Sequence, residues 1–319
     1  MAQAKVNGED ESDMTKKWVT VMGSFVADLT FRTGSIPAWG ETLMGHSFKL
    51  GPGGKGSNQA VAAARAGGKV SFISKLGADP FGDIARDLYR TEGIDTRFLF
   101  TTEVATGAAA IIVEAQRGEN AIVVVPGACF ELTANEVDRA RDLIAGSSVF
   151  VAQLELSLPV VEHGLALAHA AGVPTILNPA PAAPLPESIY RQIDYITPNE
   201  TETAALTGVP VATVADAEKA ADVFLARGVR NAVITLGAQG AYVRNARVRA
   251  HVPAVNAGRV VETTGAGDAF NGGFAVALSE GMELLEAVRF GCATAGISIT
   301  RPGTAPSMPS RAEIDALLK

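Results

Sequence analysis

Thr263-Thr264-Gly265-Ala266-Gly267-Asp268 is followed at once by Ala269-Phe270-Asn271-Gly272-Gly273-Phe274. Two glycines and an alanine carry the backbone through a turn without Cβ obstruction, and Phe270, Phe274 and Ala277 then recur at helical spacing. A turn of this kind at a helix start presents N–H groups without helical partners and the positive end of the helix dipole, which suits an anion. Asp268 puts a carboxylate beside that anion hole. A base in this position can deprotonate a hydroxyl while a phosphoryl group is held in line. The plainer reading makes Asp268 the helix N-cap, and from this stretch alone it stands first.

Working outward, strand and helix patterns alternate. Residues 18–25 read as a buried strand that delivers Val26-Ala27-Asp28 to its carboxyl end, where open α/β sheets keep their ligands. Helices are expected over 57–67, 81–92, 134–145, 159–171, 215–228, 267–280 and 284–299, and strands over 70–74, 148–153, 174–178, 193–197 and 231–236. This rhythm predicts an α/β, doubly wound and mostly parallel sheet with helices on both faces.

Two segments break the rhythm. Gly34, Pro37 and Gly40 punctuate 31–50 into short strands such as 41–44 and 47–50, and 108–114 and 121–125 flank a turn at 116–120 as a hairpin. They are expected to form a small β lid over the ligand face, or else ordinary hairpins on the sheet edge. The resulting division is a tail at 1–17, an α/β domain over 18–30, 51–106 and 127–319, and the lid over 31–50 and 107–126.

The chain has 319 residues, 47% hydrophobic and 19% charged, with a net charge of −7, as in globular proteins with a full core. The acidic balance argues against nucleic acid or an anionic membrane as partner. Cys129 and Cys292 show no metal or disulfide spacing, and a reducing cytoplasm is the expected setting. The first seventeen residues hold no apolar signal region, and no run of eighteen apolar residues occurs.

Gly51-Pro52-Gly53-Gly54-Lys55-Gly56-Ser57-Asn58-Gln59 fits G-x-G-x-x-G formally, but the strand that follows ends in Ser74-Lys75 rather than an acid, so a dinucleotide fingerprint fails on context. It is no Walker A loop either, since Lys49 stands where the first glycine would be. Three glycines allowing close approach, with Lys55 and Asn58 as polar arms, suit the hydroxyls of a polyol; a tight turn into a helix is the equal alternative. Further strand ends carry Gln153-Leu154-Glu155, Asn178-Pro179-Ala180-Pro181-Ala182 and Thr197-Pro198-Asn199-Glu200-Thr201-Glu202. Asn199 and Glu202 at a helix start could order waters around a hydrated Mg²⁺. Thr235-Leu236-Gly237-Ala238-Gln239-Gly240 suits a nucleotide lying against backbone. The four histidines lack metal spacing, and no G-x-S-x-G elbow occurs.

Taken together, 53–60, 178–182, 197–202, 264–268 and 300–307 resemble, in order, the motifs of the ribokinase-like (PfkB-type) carbohydrate kinase family, a resemblance running from about residue 19 to the C-terminus. It implies ATP-dependent phosphorylation of the 5-hydroxyl of a pentose, D-ribose first. By position, Asp268 would be the base, and the amides of Gly265, Ala266 and Gly267 the anion hole. Val26, Ala27, Asp28, Gly54, Lys55, Gly56, Ser57, Asn58 and Glu155 would line the sugar. Asn199, Thr235, Leu236, Gly237, Ala238, Gln239, Gly240, Gly267 and Cys292 would contact ATP. Phosphoryl transfer needs mainly positioning and charge stabilisation, which a base, an amide cradle and Mg²⁺ supply. The resemblance further implies a K⁺ site from Glu262, Thr264, Ser298, Arg301, Gly303 and Ser307, several through backbone carbonyls, and a homodimer formed through the lid.

Two residues depart from the family pattern. Val26 stands where ribose-phosphorylating members carry asparagine, and a valine cannot pair a sugar hydroxyl; members acting on deoxyribose are apolar there. Glu262 replaces the usual aspartate of the cation site. The alternatives are a deoxyribose, other pentose or nucleoside kinase of the same family and, from a different class, a non-catalytic sugar-binding regulator, which would have no use for a base.

Overall fold

The computed structural model describes residues 18–115 and 119–319. The tail expected at 1–17, and the middle of the turn at 116–118, lie outside the described residues.

Thirteen strands are described: β1 (Trp18–Met22), β2 (Val26–Thr33), β3 (Ser47–Gly53), β4 (Lys69–Gly77), β5 (Leu99–Thr102), β6 (Thr106–Glu114), β7 (Asn120–Gly127), β8 (Val149–Gln153), β9 (Thr175–Asn178), β10 (Tyr195–Ile196), β11 (Asn231–Thr235), β12 (Ala241–Arg244) and β13 (Arg249–Val252). The α-helices are α1 (Lys55–Arg65), α2 (Pro80–Thr91), α3 (Ala134–Arg139), α4 (Arg141–Ala145), α5 (Leu158–Ala170), α6 (Glu187–Tyr190), α7 (Glu200–Thr207), α8 (Val214–Arg227), α9 (Ala266–Ser279), α10 (Leu284–Ser298) and α11 (Arg311–Leu318).

Nine strands form one sheet in the order β13-β12-β11-β10-β9-β8-β1-β4-β5, parallel from β11 to β5 and antiparallel at the β11-β12-β13 edge. Alternate side chains feed two cores: Val19, Val21, Val149 and Val151 face α1, α9 and α10, whereas Met22, Phe150 and Ala152 face the α5 and α8 side. That two-sided burial is why the strands read as continuous apolar runs. On the first face, α9 lies so close to α1 that a Cβ on Gly272 would come within 2.5 Å of the Ala62 Cβ. This approach brings the start of α1 against the start of α9.

The second sheet has the order β3-β2-β6-β7, with β2–β6 parallel and its outer pairs antiparallel. It reaches further than expected. β2 begins at Val26, not at 31, because Val26 already pairs with Gly53 and Gly107, and 51–53 continue β3 rather than forming a turn. No strand forms at 41–44. Gly40 takes a positive φ of 77°, and Glu41 closes a local turn, its amide on Ala38 O and its carboxylate on Ala38 N. The single helix expected at 134–145 is two, divided at Ala140. β5, β12, β13, α6 and α11 were not anticipated; the first four are too short to show a period, whereas α11 does carry a signal, the Ser310–Glu313 capping box ahead of Ile314, Leu317 and Leu318.

Candidate active site

The carboxyl ends of β1, β8, β9, β10 and β11 open on one edge of the sheet, where the starts of α1 and α9 meet them. Gly265 is the N-cap of α9 and Asp268 lies in its first turn. The N-cap reading of Asp268 fails: its side chain caps nothing and turns inward, buried. Asp268 Oδ2 accepts from Asn58 Nδ2 at 3.0 Å and Oδ1 from Gln59 Nε2 at 3.0 Å. Burial pushes its carboxyl up from the ordinary value, with Lys55 and the two amides pulling the other way.

A cavity of about 140 Å³ lies in front of α9, bounded by Lys55, Asn199, Glu202, Thr235 and the 265–268 turn. The helix does not use the N–H groups of Gly267 and Asp268, which its geometry leaves without carbonyl partners. Ala266 N, expected in the anion hole, donates to Thr263 O at 3.1 Å. Asn199 and Glu202 cap α7 reciprocally, at 2.8 and 2.9 Å, so each gives one oxygen to the cap. Lys55 opens α1, and the structure places it in this cavity rather than in the one beside Asp28. Burial works to lower its ammonium, but Asp268, Glu155 and Glu202 outweigh it and raise it.

A second cavity, of about 460 Å³, runs under the small sheet. Asp28, Thr30, Arg32, Lys49 and Gly51 line it from above, and Glu262, Thr264 and Gly303 from below. The 262–268 turn separates the two spaces. Burial, with repulsion from Glu155, Asp268 and Glu262, raises the Asp28 carboxyl to about 6. Gly53 makes room for it: a Cβ there would lie 2.3 Å from Asp28 Oδ1. Glu155 caps α1 from outside, with Oε2 accepting from Lys55 N at 2.8 Å and Ser24 Oγ at 2.5 Å.

Other residues named from the sequence fall elsewhere. Ala27 is on the opposite face of β2 from Asp28 and packs in the core. Gly56 and Ser57 are buried, Ser57 against Tyr89. Leu236 is buried, and 237–239 form a short 3₁₀ turn whose Gln239 O meets the His251 ring; Gly240 closes it. Within 235–240, Thr235 is the residue that lines the smaller cavity. Cys292 lies in the core on α10, where burial pushes its thiol up to about 12.

Glu262 Oε2 accepts from Gly303 N at 2.9 Å, while the hydroxyls of Ser298 and Ser307 donate to Ala295 O and Thr304 O. The Arg301 side chain turns to Glu313. Of these three residues, Arg301 has only its backbone left to face a cation. Gln59, Gln153 and Asn271 were missed. The available signal was a long amide such as Gln59 inside an alanine-rich buried helix face, which demands a partner.

A buried carboxylate at an amide-bearing helix start, between two cavities at the edge of an α/β sheet, is an arrangement that can take a proton from a hydroxyl while an anion is held. The model of the pfkB family carbohydrate kinases matches residues 16–311, and the chain belongs to that family. It is an ATP-dependent sugar kinase. The chain is 42% identical over 298 residues to the ribokinase of Haemophilus influenzae, covering 93% of this chain and 97% of that protein. It is 38% identical over 296 residues to the deoxyribokinase of Salmonella typhi, covering 92% and 95%. Among solved structures, the ribokinase of Arabidopsis thaliana complexed with ribose and ATP superposes with a TM-score of 0.90 at 29% identity, covering 96% and 99%.

Proposed function

We propose that the chain transfers the γ-phosphoryl group of ATP to the 5-hydroxyl of D-ribose, giving ribose 5-phosphate and ADP, with Asp268 as general base. The observation that carries this is the buried Asp268 carboxylate held by Asn58 and Gln59 at the start of α9. Asp268 takes the proton of the sugar hydroxyl; the oxygen forms its bond to the γ-phosphorus as the bond to the ADP oxygen breaks. The N–H groups of Gly265, Gly267 and Asp268, with Lys55, face the charge that develops on the phosphoryl oxygens. Asp28 accepts from sugar hydroxyls. Asn58 Oδ1, buried and without a protein partner, accepts another.

Asp28, Glu202 and Asp268 all have carboxyls raised by burial, around Lys55, so the site is short of positive charge for ATP. That deficit favours a metal. The described residues hold no cluster of three His, Cys, Asp or Glu to cage one, which fits a hydrated Mg²⁺ ordered through water by Asn199 and Glu202. Bound there, Mg²⁺ would neutralise phosphate charge. K⁺ would be held by the Glu262 carboxylate with backbone carbonyls of Thr264, Ser298, Arg301, Gly303 and Ser307, adding positive charge below the anion hole.

The outer face of the small sheet presents Phe31, Phe48, Leu50, Val123 and Val125 to solvent, and homodimerisation through this lid would cover them. No helix of the described residues is long and apolar enough to cross a membrane, and both cysteines are free. A cytoplasmic setting is our reading.

One observation favours 2-deoxyribose as a second reading. Val26, on the Asp28 side of β2, is buried and apolar, and can pair no hydroxyl. ADP release measured over ribose, 2-deoxyribose, other pentoses and nucleosides tests both. Turnover with neither ribose nor 2-deoxyribose would refute both readings.

A further inference from the structure

We propose that a buried chain of side-chain amides positions the base: Gln59 holds Asp268 in its working rotamer, and Gln153 holds Gln59 the right way round. The inference rests on the reading of Asp268 as base. Gln59 Nε2 is 3.0 Å from Asp268 Oδ1 and 3.1 Å from Asn178 Oδ1. Gln153 Nε2 is 2.7 Å from Gln59 Oε1, and Asn178 Nδ2 is 3.0 Å from Thr197 O.

The direction of these bonds follows from the ends of the chain. Thr197 O is a backbone carbonyl and only accepts, so Asn178 must show it the NH₂ group and turn its oxygen to Gln59. The ionised Asp268 carboxylate also only accepts. Gln59 therefore directs its NH₂ group at both acceptors, and its oxygen is left facing Gln153, which must donate. Reversing the Gln59 amide would put an oxygen against the Asp268 carboxylate. Gln153 stands at the end of β8, Asn178 at the end of β9 and Gln59 on α1, so three elements set the orientation of one carboxylate.

Gln153 gains little for itself. Its Oε1 is buried without a partner and lies against Gly23, where an added Cβ would come within 2.1 Å. An orphaned buried oxygen is a cost to the fold, here set against the bond that Gln153 Nε2 gives Gln59. Neither Gln59 nor Gln153 lines either cavity, and the Gln59 amide is engaged by Asp268, Asn178 and Gln153, so both act through Asp268 and not on the substrate. Lys55 on α1, Glu155 after β8, Asp28 on β2 and Glu202 on α7 are the charged groups that act on Asp268, and none is altered by changing the amides.

The test is kcat and kcat/KM against pH for Gln59→Met, Gln153→Met and the double variant, with ATP affinity and Tm measured alongside. Gln59→Met is expected to lower kcat about tenfold or more. Its acid limb of kcat/KM should move to higher pH, because a buried carboxylate has lost a donor that favours its ionised form. ATP affinity should stay within about twofold. Gln153→Met should move both quantities the same way by less, and the double variant should be no worse than Gln59→Met, since Gln153 acts only through Gln59. An unmoved acid limb in folded Gln59→Met overturns the proposal, as does a double variant whose losses multiply. If Gln59→Met does not fold, the acid limb of Gln153→Met decides in the same way. Turnover persisting in Asp268→Asn would remove the base itself, a different failure from an intact base indifferent to Gln59.

Discussion

Asn58 and Asp268 are 210 residues apart in the chain and 3.0 Å apart in the site, Nδ2 to Oδ2. On the proposed reading this bond links a sugar-binding residue to the base and spends the Asn58 donor on it. Asn58→Leu, similar in volume, should therefore lower kcat as well as weaken sugar binding. The expected loss in kcat/KM is about 10²-fold, because an unpaired buried carboxylate oxygen adds about 1–3 kcal/mol to the lost sugar contact. Steady-state kinetics with ATP saturating would show it; a rise in KM alone would mean that the bond to Asp268 does not serve the chemical step.

Gly53 and Asp28 give a second prediction. Gly53→Ala drives a Cβ into the Asp28 carboxylate, 2.3 Å from Oδ1, so the carboxylate must move out of the sugar cleft. Sugar KM should rise about tenfold or more, with a stability cost of about 1–3 kcal/mol and nucleotide binding unchanged. Calorimetry with sugar and with ATP analogue separates the two sides.

The Asp28 carboxyl, raised to about 6, makes activity and stability run in opposite directions with pH. In the unfolded chain it titrates near the ordinary aspartate value of 3.8, so between about 4 and 6 the folded state binds more protons. The contribution of Asp28 to the stability of the unliganded protein therefore rises as pH falls through 6, whereas sugar binding, which on the proposed reading uses the ionised group, declines. Asp28→Asn should flatten the contribution to Tm over this window. A wild-type Tm that falls steadily from pH 7 to 5 and is unaltered by Asp28→Asn would contradict the assignment.

Val26→Asn tests specificity. An asparagine restores a partner for a sugar hydroxyl, so the ratio of kcat/KM for ribose over 2-deoxyribose should rise about tenfold or more, the equivalent of about 1–3 kcal/mol. A ratio that Val26→Asn leaves unchanged would place Val26 outside the determinant.

Much of the fold was legible because a sheet covered on both faces writes each strand as an apolar run, and α5, α8, α9 and α10 fall within a residue or two of their periodic segments. The limits of the small sheet were not, since Val26 belongs to β2 only through pairing with Gly53 and Gly107, contacts that local pattern does not carry. The site was legible wherever a motif turns on itself, as at 263–268. Gln59 and Gln153 were hidden for the opposite reason. Each becomes meaningful only when α1, β8 and α9 are brought together, and no spacing along the chain records that.

The most direct test of the account is single-turnover phosphoryl transfer by Asp268→Asn, with ATP binding measured on the same sample. Asparagine keeps the shape of the site, with its Oδ1 still accepting from Gln59 and its Nδ2 donating to a reversed Asn58 amide, but it cannot take a proton. The account predicts ATP affinity within about twofold of wild type and a rate lower by about 10²–10⁴-fold. A rate within a few-fold of wild type would contradict it.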